Sequence, residues 1–134
     1  MRPVLRGSAA RLATVLGVAL AACGLFAAPA SAADLHTPCR DFWGGRICTT
    51  VTAIDPGSYL AVHLAPDYAH GVVDGVQLHN GDEVPLYCWT TGASDADGHG
   101  DYYWFQIGES AVFVNDYYLN TGGYADWSPY ISHC

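Results

Sequence analysis

The sequence contains no lysine, and its five arginines stand against 13 acidic residues. Three of those arginines lie in residues 1–11, so residues 33–134 keep only Arg40 and Arg46 beside all 13 acids, a net charge of −11 with histidine neutral. A surface this acidic repels phosphate backbones, which excludes nucleic acid as a partner. The same charge argues against simple electrostatic attachment to anionic lipids or anionic wall polymers.

Helical periodicity is also missing after the first 32 residues. Short segments of β-branched or alternating apolar residues recur between turn residues, which predicts an all-β fold. Residues 65–75 are predicted to form a long loop. Nine Tyr and four Trp supply enough apolar surface for the core of one domain. A small barrel is the economical arrangement at this length, and its predicted strands are residues 47–53, 59–64, 84–91, 102–107 and 111–119.

Long apolar runs are confined to the N-terminus. Arginines precede an almost entirely apolar segment, residues 12–28, and Ala30-Ser31-Ala32 has the small-x-small pattern that signal peptidase recognises. Residues 1–32 are therefore predicted to be a cleaved signal peptide. A membrane anchor is the alternative, but the run is barely long enough to span a bilayer, and stable membrane insertion is not expected. Leu20-Ala21-Ala22-Cys23 also resembles a lipobox, which leaves lipidation at Cys23 open.

The remaining four cysteines form an even set behind this export signal. They are predicted to form disulfides in an oxidising, extracellular compartment. Sequence alone allows three pairings of the four, which are Cys39, Cys48, Cys88 and Cys134.

Residues 59–134 contain a series of short motifs. They are Tyr59-Leu60-Ala61-Val62-His63, Pro66, Val72-Val73, Leu78-x-x-Gly81-x-x-Val84, Tyr87-Cys88-Trp89, Trp104-Phe105-Gln106-Ile107, Val112-Phe113-Val114-Asn115-Asp116 and the ending Pro129 to Cys134. Together these motifs resemble the bacterial Src-homology-3-like domain, and from Tyr87 onward they resemble in particular a secreted actinobacterial branch of it. The resemblance implies a small barrel over residues 59–134, preceded by an irregular N-terminal arm and strand over residues 33–58. It also implies the disulfide Cys88–Cys134, which leaves Cys39–Cys48.

The same resemblance implies recognition of cell-wall peptide or peptidoglycan in a groove. Several positions depart from the family pattern in the loop that would border this groove. Ala61 and His63 stand where the family usually has Asn and Arg, Ala65 replaces a Gly, and His70 stands where Tyr is common. These departures affect the expected ligand specificity more than the expected fold.

Motifs for catalysis and metal binding are incomplete. The acidic loop from Asp95 to Asp101 resembles a calcium loop, but His99 replaces an oxygen ligand and Gln106 stands where a bidentate Glu would close the site. The six histidines lack zinc-ligand spacing, and no serine lies in a Gly-x-Ser-x-Gly frame. A disulfide at Cys134 would remove the thiolate that a Cys–His pair needs. We therefore expect no catalytic residue, no metal and no cofactor, with calcium binding by the Asp95–Asp101 loop left as the alternative.

Aromatic residues are the better functional signal. Neighbours such as Tyr102-Tyr103 and Tyr117-Tyr118 cannot both face the core of a strand, so some rings should point outward. Exposed Tyr and Trp suit peptide or sugar grooves. The chain is thus predicted to be a secreted, monomeric, non-catalytic binding module, and the resemblance implies that its ligand is cell-wall peptide or peptidoglycan. The alternative is an interaction or inhibitor module acting on a protein partner. The candidate ligand-binding residues are Tyr68, His70, Trp89, Tyr103 and Tyr118.

Overall fold

The computed structural model describes residues 33–39 and 45–134. The predicted signal peptide and the lipidation alternative at Cys23 lie outside these residues. Within them the regular secondary structure is mostly β, as the sequence predicts, with one 3-10 helix and one short α-helix. The elements are β1 (Ile47–Thr50), β2 (Leu60–His63), β3 (Val72–Leu78), β4 (Glu83–Leu86), β5 (Cys88–Thr91), β6 (Tyr103–Gln106), β7 (Phe113–Asn115), the 3-10 helix Asp116–Tyr118 and α1 (Tyr124–Trp127).

The strands form two antiparallel sheets. β1 pairs with β4, and a second sheet has the order β3-β2-β7-β6-β5. β1 therefore joins residues 33–58 to the rest of the chain through backbone hydrogen bonds. A break in register between Ala61 and His63 bends β2, which pairs with β3 on one side and with β7 on the other.

Two of the predicted segments differ from the observed strands. Residues 84–91 are not one strand, because the chain leaves β1 after Leu86 and pairs with β6 from Cys88 onward. Tyr87 marks this change of sheet, and its N–H donates to the carbonyl of Gln106 (2.9 Å). The loop predicted over residues 65–75 is also too long, since β3 begins at Val72.

The predicted strand over residues 111–119 ends early. β7 stops at Asn115, whose side chain accepts a hydrogen bond from the N–H of Tyr117 (3.0 Å) and caps the 3-10 helix. α1 was not predicted. Its first turn is fixed by Asp126, which accepts the Gly123 N–H (2.7 Å), and by the fully buried Trp127. In the part of the chain that the structure describes, no helix has the length and apolarity needed to span a membrane.

Trp127 is a fully buried member of the hydrophobic core. Its ring contacts Phe105 edge-on, with centroids 4.9 Å apart, and the core as a whole combines apolar side chains from both sheets. Burial of such residues is the main driving force of folding. The remaining core residues include Val51, Leu60, Val62, Val84, Leu86, Val114, Leu119 and Ile131.

Two disulfides complete the fold, and they have the pairing that the resemblance implies. Cys39–Cys48 attaches the N-terminal arm to β1, and Cys88–Cys134 attaches the C-terminal segment to β5. Hydrogen bonds reinforce the second attachment, because Trp89 exchanges backbone hydrogen bonds with Ser132 and Cys134 (3.0 and 2.8 Å). Both bridges are consistent with an extracellular location.

Candidate functional site

The five predicted ligand-binding residues occupy three places. Tyr68 and Tyr118 line one groove. Tyr103 lines a second cavity, with Trp89 packed behind it at a ring-centroid distance of 5.7 Å. His70 lies apart from both, exposed and paired with the carboxylate of Asp67.

The first cavity, which we call the Tyr68 groove, has a volume of about 250 Å³. Tyr68 is 42% exposed, yet its ring packs at steep angles against the rings of His63 and Trp104, at centroid distances of 4.9 and 5.2 Å. Such packing holds an aromatic surface open to a ligand without leaving the ring free to rotate. The lining residues include Tyr59, Ala61, His63, Tyr68, Asp97 and Tyr118.

The loop that carries Tyr68 is fixed at its base. The carbonyl of Pro66 accepts the N–H of Ala93 (3.0 Å), and the Asp67 side chain accepts the N–H groups of the turn that follows. Gly92 makes this contact feasible, because a Cβ atom there would lie 1.9 Å from the Pro66 carbonyl oxygen. The sequence does not reveal this close approach, since the two residues are far apart in the chain.

Two phenols of the Tyr68 groove, those of Tyr68 and Tyr118, remain neutral hydrogen-bonding groups. Burial, with the nearby carboxylates of Asp95 and Asp97, raises the pKa of Tyr68 to about 12. Burial and the hydrogen bond from its hydroxyl to Asp97 (3.0 Å) also raise the pKa of Tyr118. Burial lowers the pKa of His63. This residue therefore lines the groove as a neutral imidazole, at a position where the family resemblance implies an arginine.

The Asp95–Asp101 loop separates the two cavities, and hydrogen bonds to the side chain of Asp95 hold its shape. The buried Asp95 carboxylate accepts the N–H groups of His99 and Asp101 (both 3.0 Å), together with contacts from Ser94 and the His99 ring. Burial alone would raise the pKa of Asp95, but these hydrogen bonds hold it well below its ordinary value. Among the described residues, no group of three or more His, Cys, Asp or Glu side chains is placed to hold a metal ion.

The second cavity, which we call the Asp116 cleft, has a volume of about 530 Å³. It lies on the other side of the loop, between two pairs of rings. His99 stacks on Tyr117 at 4.1 Å, and Tyr103 lies against Tyr124 at 5.3 Å. Neighbouring Tyr117 and Tyr118 thus serve different cavities. The cleft is lined chiefly by His99, Asp101, Tyr103, Asp116, Tyr117 and Tyr124.

Asp116 is the buried carboxyl of this cleft, with 5% of its surface exposed. Burial raises its pKa to about 7, and the nearby carboxylate of Asp101 adds to the effect. The Thr121 hydroxyl donates to Oδ1, which opposes the shift. The Trp127 indole N–H also lowers this pKa but lies outside hydrogen-bond geometry. Sequence reasoning missed Asp116, because nothing in its local sequence marks it as buried.

Asp95, His99 and Tyr117 form a chain of polar contacts in the order carboxylate, imidazole, hydroxyl. This order is that of a catalytic triad, but the geometry is not. The Nδ1 atom of His99 is 3.0 Å from Asp95, and its Nε2 atom is 3.1 Å from the Tyr117 hydroxyl. The two rings are parallel within 10°. The hydroxyl therefore lies over the imidazole face and away from the in-plane lone pair that a general base would use.

No protein-family model, no curated protein and no solved structure matches this chain. The Src-homology-3-like barrel therefore stays a prediction, and function has to be argued from the two cavities themselves.

Proposed function

We propose that this chain is an exported, non-catalytic binding module that recognises a cell-wall peptide in the Tyr68 groove. The observation that carries the proposal is that Tyr68 is 42% exposed although its ring packs against two other rings, those of His63 and Trp104. Preformed aromatic surfaces of this kind bind ligands at low entropic cost, because the ring is already ordered before the ligand arrives.

The polar groups of the groove favour a peptide. The neutral hydroxyl of Tyr68 interacts with the backbone N–H of Ala96 and can still donate to a backbone carbonyl of an extended segment. Asp97 is exposed at the rim, where it can accept hydrogen bonds from a ligand ammonium or amide. Cell-wall peptides offer both kinds of group.

The disulfides support the exported part of the proposal. All four cysteines of the described residues are paired, as expected for a small domain that works in an oxidising environment. Pairing also leaves these four sulfurs without the thiolate that nucleophilic chemistry requires.

A protein partner is the second candidate, and the β3 edge favours it. β3 pairs only with β2 in the described part of the chain, and Val72 and Val76 on it are 43% and 39% exposed. Beside them, apolar side chains of Leu78, Val84 and Ile107 line a cavity of about 410 Å³. An open strand edge with an apolar margin suits β-strand addition by a partner protein.

Co-sedimentation with purified peptidoglycan tests the main proposal. We expect Tyr68→Ala to weaken retention about tenfold, as for loss of one well-packed aromatic anchor. Tyr68→Phe keeps the ring and should bind more strongly than the alanine variant. Tyr130→Ala is the matched control, because Tyr130 is 70% exposed and lies outside the groove.

Two results would count against the peptide site. One is retention of the native chain no better than that of an unrelated protein of equal negative charge. The other is equal retention of the Tyr68→Ala and Tyr130→Ala variants, with both shown to be folded by circular dichroism. If the native chain captured one specific partner protein and the Val76→Pro variant did not, the β3 edge would be favoured as the binding site instead.

A further inference from the structure

We propose that the Asp116 cleft is a second binding site, and that it takes a primary alkylammonium group such as a lysine side chain. The cleft is separated from the Tyr68 groove by the Asp95–Asp101 loop. Its ligand can therefore be bound or lost independently of a peptide in the groove.

The cleft combines aromatic walls with two carboxyl groups. Tyr103, Tyr117 and Tyr124 line it together with Asp101 and Asp116, and the rings of Tyr103 and Tyr124 lie against each other. This arrangement offers ring surface to an alkyl chain and carboxylate oxygens to its charged end.

The negative charge of the cleft has no cationic partner among the described residues. Arg46 lies over the ring of Tyr87, 3.6 Å from its centroid, and not at the cleft. Lysine is absent from the chain. At Asp116, Oδ1 accepts the Thr121 hydroxyl, and the Trp127 indole N–H lies near the carboxyl. A carboxylate has about four acceptor positions, so this nearly buried carboxyl at a cavity wall can still accept from a ligand donor.

A cation fits this site better than a neutral sugar. Burial removes water from Asp116, and Asp101 is near enough to disfavour its ionisation. A ligand ammonium would relieve both effects, because its charge stabilises the ionised carboxylates and its N–H groups hydrogen-bond them. Sugar hydroxyls are uncharged and would leave the repulsion between the carboxylates in place.

Binding should consequently be linked to pH. Burial raises the pKa of Asp116 to about 7, so this carboxyl is largely protonated below that pH and largely ionised above it. If only the ionised form binds the ammonium, the apparent affinity should rise about tenfold from about pH 6 to about pH 8.

Other titratable groups face Asp116 across the cleft. They are Asp101 and His99 from the loop before β6, Tyr103 from β6 itself, Tyr117 from the 3-10 helix and Tyr124 from α1. A protonated His99 would repel the same cation, so its contribution has the same sign as that of Asp116. The variant His99→Gln separates the two, because it removes the imidazole and leaves both carboxyls in place.

Nuclear magnetic resonance titration of the folded, disulfide-bonded chain tests the proposal. The probes are Nα-acetyl-lysine N-methylamide, its neutral analogue Nα-acetyl-norleucine N-methylamide, and N-acetylglucosamine. We expect the lysine probe to shift the amide signals of residues 99–103 and 116–124. We also expect it to bind at least about tenfold more tightly than the norleucine probe at about pH 8, as for a charge-assisted hydrogen bond.

Carboxamide variants assign the effect to the cleft. Asp116→Asn and Asp101→Asn should each weaken the lysine probe about tenfold. Asp101→Asn keeps an oxygen for the Tyr103 N–H, so the fold has no reason to change. Asp74→Asn, an exposed change on β3, is the matched control and should leave binding unchanged. Tyr68→Ala should also leave it unchanged, which keeps this test separate from that of the groove.

The proposal fails if the lysine and norleucine probes bind equally, if N-acetylglucosamine binds more tightly than lysine, or if both carboxamide variants bind like the native chain. Retention of the pH dependence in His99→Gln and its loss in Asp116→Asn would support it. If the pH dependence were lost in His99→Gln but kept in Asp116→Asn, the assignment to Asp116 would be wrong.

Discussion

Replacing Cys88 and Cys134 together by serine is expected to lower the free energy of unfolding by about 4 kcal/mol. The bridge joins residues separated by 46 positions, and closing so long a loop in the unfolded chain removes much of its entropy. For a domain of this size such a loss lowers the melting temperature by roughly 20 °C. Thermal unfolding followed by circular dichroism measures the change.

The other disulfide is the internal comparison for this prediction. Cys39–Cys48 closes a separation of only 9 residues, so its removal should cost about 2.7 kcal/mol. If the two double variants lost equal stability, loop length would not be the governing factor. If neither lost any, the backbone hydrogen bonds between Trp89 and the C-terminal segment would suffice to hold that segment on β5.

Raising the pH from about 4 to about 8 is expected to cost the folded chain about 4 kcal/mol through Asp116 alone. The unfolded chain loses this proton near the ordinary value of 3.8, whereas burial keeps it on the folded chain up to about pH 7. Between these values the folded state binds more protons, so the free energy of unfolding falls as pH rises, by about 1.4 kcal/mol per unit. Urea unfolding at several pH values measures the slope.

Asp116→Asn is the control that isolates this contribution, because the amide has the same shape and does not titrate. Its stability should fall less steeply than that of the native chain between about pH 4 and about pH 7. The hydrogen bond to Glu83 raises the pKa of His36, whose stabilisation is also lost as pH rises, and this loss remains in the variant. Asp95 acts oppositely, since its lowered pKa makes its stabilisation disappear in acid. Parallel pH profiles for the native chain and the variant would contradict the prediction.

Alternation and turn residues are enough to predict the fold class and most of the strands. They fail where pairing is decided by distant residues. β3 contains Gly75 with a positive φ of 74° and is largely exposed, which locally looks like a loop, but hydrogen bonds to β2 make it a strand. The change of sheet at Tyr87 is equally hidden, because alternation continues through it while the partner strand changes.

The sequence predicts which kinds of residue form the candidate site, but not which of them share a cavity. Adjacent aromatic pairs predict that some rings face outward, and Tyr102, at 55% exposure, does so. Which rings share a cavity depends on how β6, the 3-10 helix and α1 meet. Sequence reasoning accordingly grouped Tyr68 with Tyr103, whereas the structure places them in different cavities. Asp116 was missed for the same reason, since Thr121 and Trp127, the two side chains that act on its carboxyl, come from the segment around α1 that was not predicted.

Because Gly92 lies against the backbone of Pro66, the residue at position 92 determines the shape of the Tyr68 groove without lining it. Any side chain at position 92 would push against the Pro66 backbone, and the displaced segment carries Tyr68 with it. Related chains could in this way widen or narrow their recognition surface while every residue that touches the ligand stays the same. Comparisons restricted to contact residues would then overlook the change that altered selectivity.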